Sequence, residues 1–272
     1  TRKSPEARRD GYRAHLAADP ETGIITDEKL TRASGTENSD PAVAEEFLAA
    51  EAGQGEAGPA AAEQPPAAGE DDDSGAAQHG DNGTGREPLA WYGDSAYGTG
   101  DLRGAIGDAG HAAVIKPKPL QAPVAGGLTV DDFTVDEQAG TVTCPAGNTV
   151  TLSRTRIATF GVACRDCPLR ERCTTCKTGR KLVLHPRDDL LRAARADWAA
   201  DPGLREDYMA QRPNVERAVA QVATCRGRRV KLRYRGTAKN HAWLKRRTAA
   251  LNLRNLLGKG LTRRDGAWVL AT

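Results

Sequence analysis

Apolar and polar positions alternate loosely from Asp10 to Asp19, break at Pro20 to Gly23 and resume at Ile24-Ile25-Thr26, which predicts a β-hairpin. Val43, Phe47 and Leu48 then fall at helical spacing and predict a short helix over 42–50. A short apolar run at Trp91-Tyr92 ends at Asp94. It is followed by the small-residue turn Ser95-Ala96-Tyr97-Gly98, an amphipathic stretch from Asp101 to Gly110 and a second apolar run from Ala112 to Ile115. This order reads as strand, turn, helix, strand. Such a unit crosses over right-handed and makes its strands parallel, which puts Asp94 at the carboxyl end of a strand, where open α/β sheets assemble their sites. The plainer role for such an Asp is to cap the helix or fix the turn.

Phe133, Val135 and Val142 frame a second predicted hairpin, turning at Gln138-Ala139-Gly140, and a further strand is expected within 149–157. Helices are expected over 188–197, around Glu216 and over 243–257. In the second of these Val215, Val219 and Val222 recur on one face and Pro213 suits a first turn. The third should turn Leu244, Leu251 and Leu256 inward and Lys245, Arg246, Arg247 and Arg254 outward. Val230, Leu232 and Tyr234 alternate with Lys231, Arg233 and Arg235, the period of a strand with one charged face. Arg226, Arg228, Arg229, Lys231, Arg233 and Arg235 are the candidate phosphate-contacting residues; the same charges would also suit a guarded sheet edge.

Composition changes this picture in two places. Residues 51–88 are rich in Ala, Gly, Pro, Glu and Asp and hold almost no large apolar side chain, so they are expected to form a disordered acidic insert. Asp71-Asp72-Asp73 within it lacks the spaced oxygen ligands of a calcium loop. The net charge is only +3, but it conceals an acidic stretch from Asp40 to Asp81 and a basic one from Arg226 onward, which restricts a polyanion surface to part of the chain. With 4% aromatic residues the core must rely on Ala, Val and Leu. No run reaches the roughly 18 apolar residues of a membrane helix, so a cytoplasmic protein with no membrane partner is expected.

Cys144, Cys164, Cys167 and Cys173 supply one thiol after a hairpin, a C-x-x-C pair and a fourth a few residues on. In an intracellular chain this favours a structural tetrathiolate zinc site over disulfides, with unmetallated cysteines or an iron-sulfur cluster as alternatives. Cys176 forms a second C-x-x-C with Cys173 and leaves the ligand set open.

GDSAYGTGDLR, then RPNVER, then RGRRVKLRYRG with AALNLRNL, in that order, resemble the DDE transposases of bacterial insertion sequences. The resemblance implies an α/β fold of the RNase H-like class: a mixed sheet with flanking helices, here carrying the acidic insert and a small Cys-rich β insertion. On this reading residues 1–50 begin the catalytic domain, 51–88 are linker, 89–120 carry the second catalytic Asp, 121–185 form the Cys-rich insertion and 186–272 carry the catalytic Glu and the basic segment. By resemblance Asp94 matches that second Asp, Glu216 the Glu, and Arg212 the Arg four residues before it, close enough to share a helix face. Ala223 stands where a Lys is often found, with Arg226 or Arg228 as substitutes. The implied cofactor is Mg2+ or Mn2+ on Asp94 and Glu216, the implied partner is double-stranded DNA at transposon ends and target, and the active form is expected to be a nucleoid-associated homo-oligomer.

The hairpin after Asp10 corresponds to one that follows the first catalytic Asp in that family. With Thr1 as the first residue, an amino-terminally truncated chain lacking that Asp is expected, and Asp19, Asp27 and Asp40 read as turn or cap residues. The alternative function is an inactive remnant acting only as a zinc-containing DNA-binding protein.

Overall fold

The computed structural model describes residues 11–54, 87–232 and 234–270. Most of the acidic insert, including Asp71-Asp72-Asp73, lies outside the described residues, as does Arg233. The structure is mixed α/β, and the chain divides into two compact units. One contains residues 1–91, 105–113 and 213–272; the other contains 92–104 and 114–212.

In the first unit, β1 (Tyr12–Ala18) and β2 (Ile25–Arg32) pair antiparallel from Tyr12↔Arg32 to Ala18↔Ile25, as the alternation predicts. Asp19 fixes the turn: its carboxylate accepts the Glu21 N–H and the Thr22 hydroxyl. Helix α1 (Asp40–Gln54) follows, longer at both ends than its apolar spacing suggests. Asp40 opens it, pairs with Arg13 of β1 and lies 3.3 Å from Nδ1 of the buried His15.

The strand-helix-strand unit forms as expected from β3 (Ala90–Gly93), α2 (Gly100–Asp108) and β4 (Ala112–Ile115). β3 and β4 are neighbours in one sheet, and the bonds Ala112 N–H to Leu89 O and Lys116 N–H to Gly93 O advance in the same direction on both strands, the mark of a parallel pair. Thr99 caps α2, its hydroxyl accepting the Leu102 N–H.

The Cys-rich region belongs to the second unit. β5 (Thr134–Asp136), β6 (Thr141–Thr143) and β7 (Thr149–Thr151) make an antiparallel meander. The strand expected over 149–157 is divided: β7 ends at Thr151, and Ser153 and Arg156 turn the chain before β8 (Ile157–Thr159). β8 pairs with β9 (Lys181–Val183), and a short 3-10 turn (Gly161–Cys164) and α3 (Arg170–Cys173) lie between them. Phe133, Val142, Ala158, Phe160, Leu182 and Leu184 form the core together with Cys164 and Cys173. Helix α4 (Asp188–Ala200) is tied to this core by Arg192, which donates to the carbonyls of Val130 and Phe133, and by Arg195, which grips Asp131 with two 2.6 Å bonds.

Helix α5 (Pro202–Ala223) corrects the position given to Pro213, which lies inside the helix rather than in its first turn. The first-turn proline is Pro202. Asp201 caps it by accepting the N–H groups of Gly203 and Leu204. The boundary between the units falls between Arg212 and Pro213, where the helix necessarily lacks one backbone donor. The expected valine stripe also needs correction: Val222 is buried with Ala218, whereas Val219 is 47% exposed.

The continuous strand expected over 230–235 does not form. The basic segment folds instead as a tight hairpin, β10 (Thr224–Cys225) and β11 (Arg228–Arg229), and the described residues between it and α6 (Thr237–Gly258) have no regular structure. Arg226 and Gly227 both have positive φ, 50° and 73°, as the commonest two-residue hairpin turn requires. α6 packs on β2 through Leu244 and a polar stripe on the same face: Thr248 donates to Glu28, Asn252 brackets both backbone groups of Ile25, and Asn255 donates to the Thr22 carbonyl. Arg247, expected to point outward, turns onto the end of α5. The chain closes on the hairpin β12 (Thr262–Arg264) and β13 (Ala267–Val269).

Among the described residues the strands form small separate sheets, not the single mixed sheet expected: β1-β2 and β3-β4 are distinct, and no described strand joins them.

Candidate functional site

Asp94 stands immediately after β3. Its Oδ1 accepts the Ala96 N–H at 2.8 Å and its carbonyl accepts the Tyr97 N–H at 3.0 Å, so the turn holds both the backbone and the carboxylate in place. Gly98 is buried in the same turn, where an added Cβ would come within 3.4 Å of the Lys116 carbonyl. These contacts fulfil the turn-fixing role read from sequence. They also leave the carboxylate half-buried at the carboxyl end of a parallel strand pair. Two residues earlier, the Tyr92 hydroxyl donates to Asp207 of α5 at 2.8 Å.

Arg212 and Glu216 both lie on α5. Arg212 donates from Nη1 to the Tyr208 hydroxyl at 2.7 Å and lies over its ring, 5.7 Å from the centroid. Tyr208 is buried and in edge contact with Trp198, so the aromatic pair gives the guanidinium a fixed support. Glu216 is exposed. Asp94 and Arg212 belong to the second unit and Glu216 to the first.

The basic residues are exposed on the hairpin and the arc that follows it: Arg226, Arg228, Arg229, Lys231 and Arg235. Leu232 anchors the arc against the core of Ile25, Leu30, Ala218, Val222 and Leu244. Asn240, fully buried, clamps its far end by donating to the carbonyls of Tyr234 and Gly236 and accepting the Tyr234 N–H. The described residues of the arc keep their charges in solvent while Leu232 and the backbone at Tyr234 and Gly236 are held, a suitable arrangement for contacting phosphates without reading bases.

Cys144, Cys164, Cys167 and Cys173 all line one cavity of about 20 Å3, whereas Cys176 is exposed and does not. That volume suits a single ion or water. Cys144 opens the tight turn Cys144-Pro145-Ala146-Gly147, in which the Gly147 N–H returns to the Cys144 carbonyl at 2.8 Å. Arg170 braces the facing loop by donating to the carbonyls of Cys164, Cys176 and Lys177. Burial pushes the Cys173 thiol up, with the neighbouring thiols adding to the effect and Arg180 opposing it. The exposed Cys176 thiol is lowered by its hydrogen bond with Thr178.

Among the described residues no group of three or more His, Cys, Asp or Glu side chains is drawn together as a metal-holding set. The donor chemistry nonetheless fits the metals considered: hard carboxylates at Asp94 and Glu216 suit magnesium, and soft thiols around a cavity of ionic size suit zinc. No described helix is long and apolar enough to cross a membrane.

Sequence reasoning missed Tyr92, Asp207 and Tyr208, which support the Asp94 and Arg212 positions, and Arg180, which lies beside the thiols. Tyr92, Asp207 and Arg180 act through partners on other elements, with no fixed spacing to signal them; Tyr208 lies four residues before Arg212 on α5, a spacing the sequence does offer, but its burial is not legible there.

A comparison with curated proteins and one with solved structures found no match. Residues 143–257 match the family model described as the transposase DDE domain. The matched stretch contains the four cavity-lining cysteines, Arg212, Glu216 and the basic arc, and it does not reach Asp94. Over that stretch the chain is similar to DDE transposases, and the similarity supports a transposase function.

Proposed function

We propose that this chain is a DDE-type transposase segment of a bacterial insertion sequence, with an RNase H-like catalytic domain that cleaves DNA and transfers strands. The observation that carries the reading is Asp94, held by its turn at the carboxyl end of the parallel β3–β4 pair, on a chain whose later part matches the transposase domain. Asp94 and Glu216 would hold divalent metal, Mg2+ or Mn2+. When bound, such ions activate the attacking water or 3′-hydroxyl and stabilise the leaving oxygen in an in-line displacement. Arg212, steadied on Tyr208, positions a phosphate. Arg226, Arg228, Arg229, Lys231, Arg233 and Arg235 contribute affinity for duplex DNA at transposon ends and target, largely without sequence preference. The active form is a homo-oligomer working in the nucleoid.

Cys144, Cys164, Cys167 and Cys173 hold a structural Zn2+ in this reading. A second reading keeps the same cysteine cavity and takes the chain as a zinc-containing DNA-binding protein without strand cleavage.

Incubating the purified protein with a plasmid carrying its gene and flanking DNA separates the two. Mg2+-dependent nicking that disappears in Asp94→Asn and Glu216→Gln, with DNA binding retained, is expected for the transposase. DNA binding and bound zinc without nicking would establish the second reading, and nicking unaffected by either substitution would remove both carboxylates from the site.

A further inference from the structure

Arg180 is a buried cation with too few partners. It is 7% exposed, its Nε has no hydrogen-bond acceptor, and among the described residues no carboxylate pairs with it. Its neighbours are the Cys173 carbonyl, 3.3 Å from Nη1, and the Phe133 ring, whose centroid lies 5.6 Å from the guanidinium carbon. A dipole and a ring face compensate a largely desolvated charge only in part, and the stranded Nε adds to the cost. Arg180 also lines the cavity of the four cysteines, and its backbone N–H points to the Cys164 sulfur at 3.4 Å. Among the described residues that line the cavity with it, the cysteine thiols are the groups that can become anionic.

Four neutral thiols around one divalent ion lose four protons on binding and leave a complex with two surplus negative charges. Such a dianion in an apolar core has the opposite problem to Arg180: it needs a cation and N–H donors directed at its sulfurs. We propose that Cys144, Cys164, Cys167 and Cys173 close on one thiophilic divalent ion as a dianionic tetrathiolate, and that Arg180 is the buried counter-charge that positions and stabilises it. This rests on the zinc reading above and adds the residue that makes the site electrically tenable. Two further features prepare the loop. Gly179, at φ +96°, lets the chain pass within contact of Gly161 and Cys164, where an added Cβ would meet the Gly161 carbonyl at 2.6 Å. Arg170 meanwhile fixes the carbonyl of Cys164.

The test is metal content and affinity of the full chain, with zinc and then Co2+ as the probe. The unaltered protein should carry one zinc by elemental analysis and, with Co2+, show intense thiolate-to-metal charge-transfer absorption. Arg180→Gln should lower zinc affinity about 10- to 100-fold in competition with a chromophoric chelator. Arg180→Lys, which keeps the charge, should remain within about threefold, and the exposed Lys177→Met should behave as the unaltered protein. An unaltered protein that binds no metal overturns the zinc reading and this inference with it. One zinc bound with equal affinity by the unaltered, Gln and Lys proteins overturns the role of Arg180 alone. If Arg180→Gln does not fold, Arg180→Met, which keeps an apolar stem and removes the charge, takes its place: a tenfold or greater loss that Arg180→Lys does not share supports the counter-charge, and affinity within threefold of the unaltered protein overturns it.

Discussion

Nε of Arg247 lies 2.7 Å from the carbonyl oxygen of Val222, so a guanidinium from α6 closes the carboxyl end of α5. Its Nη2 also donates to the carbonyls of Gln221 and Thr224. The Gln221 and Val222 carbonyls are acceptors that a helix end leaves without intrahelical partners, the Thr224 carbonyl belongs to the hairpin that follows, and the positive charge faces the negative end of the helix dipole. The same side chain stacks on Trp243, 5.7 Å from its ring centroid. The helix bearing Glu216 and the hairpin bearing Arg226 and Arg228 are thus both fixed by one residue that reads from sequence as an outward charge.

Arg247→Met keeps the stem and removes these bonds. Charge-assisted hydrogen bonds of this kind contribute about 1.5–3 kcal/mol together with the cost of stranded acceptors. A loss of that order is expected in urea unfolding at neutral pH, with faster amide exchange at Thr224 to Arg229. Unchanged stability would show that water replaces the guanidinium.

The basic arc should act through charge alone. Replacing Arg228, Arg229 and Arg235 by Gln should weaken binding to unrelated duplexes equally and reduce the log-log salt slope by about 0.9 for each phosphate that is no longer neutralised. If these residues only guard an exposed edge, solubility falls while affinity and salt slope stay the same.

His15 is buried between β1 and α1, with Nε2 2.9 Å from the Thr31 hydroxyl and Nδ1 3.3 Å from Asp40. Burial lowers its pKa from 6.5, and Asp40 only partly opposes this. The unfolded chain therefore takes up the proton more readily, so this contribution to stability is full above pH 6.5 and is lost as pH falls toward the lower folded value. His15→Gln should flatten the pH dependence of unfolding free energy across that window. A slope identical to that of the unaltered protein would assign it to other groups.

Asn240 satisfies three backbone groups from a fully buried position. Asn240→Ala strands them and should cost about 2–4 kcal/mol, since each unsatisfied buried group costs about 1–3 kcal/mol and the arc can relax to hydrate part of them. It should also loosen the arc and weaken DNA binding with little change in salt slope, which distinguishes it from neutralising a phosphate-binding side chain.

Local pattern alone determined the β1–β2 hairpin, the strand-helix-strand unit that puts Asp94 just after β3, the hairpin at 134–143, the α4 helix and the greater part of α6, which begins at Thr237 rather than at Trp243. Each depends on periodicity and turn residues within a dozen positions, where propensity and burial act together. The same logic failed at Pro213, because the packing of a long helix offsets one missing hydrogen bond, and at 230–235, because the Arg226-Gly227 turn and the Asn240 clamp overrule an alternating pattern. Tertiary structure alone decided that Cys144, twenty residues before Cys164, shares a cavity with it and that Cys176, three after Cys173, does not. It alone placed Arg180 against those thiols, Tyr92 on Asp207 and Arg247 on the end of α5. A spacing motif specifies which residues a turn can present, but the partner that balances a buried charge or caps a distant helix is chosen by the folded chain, with no fixed separation in sequence.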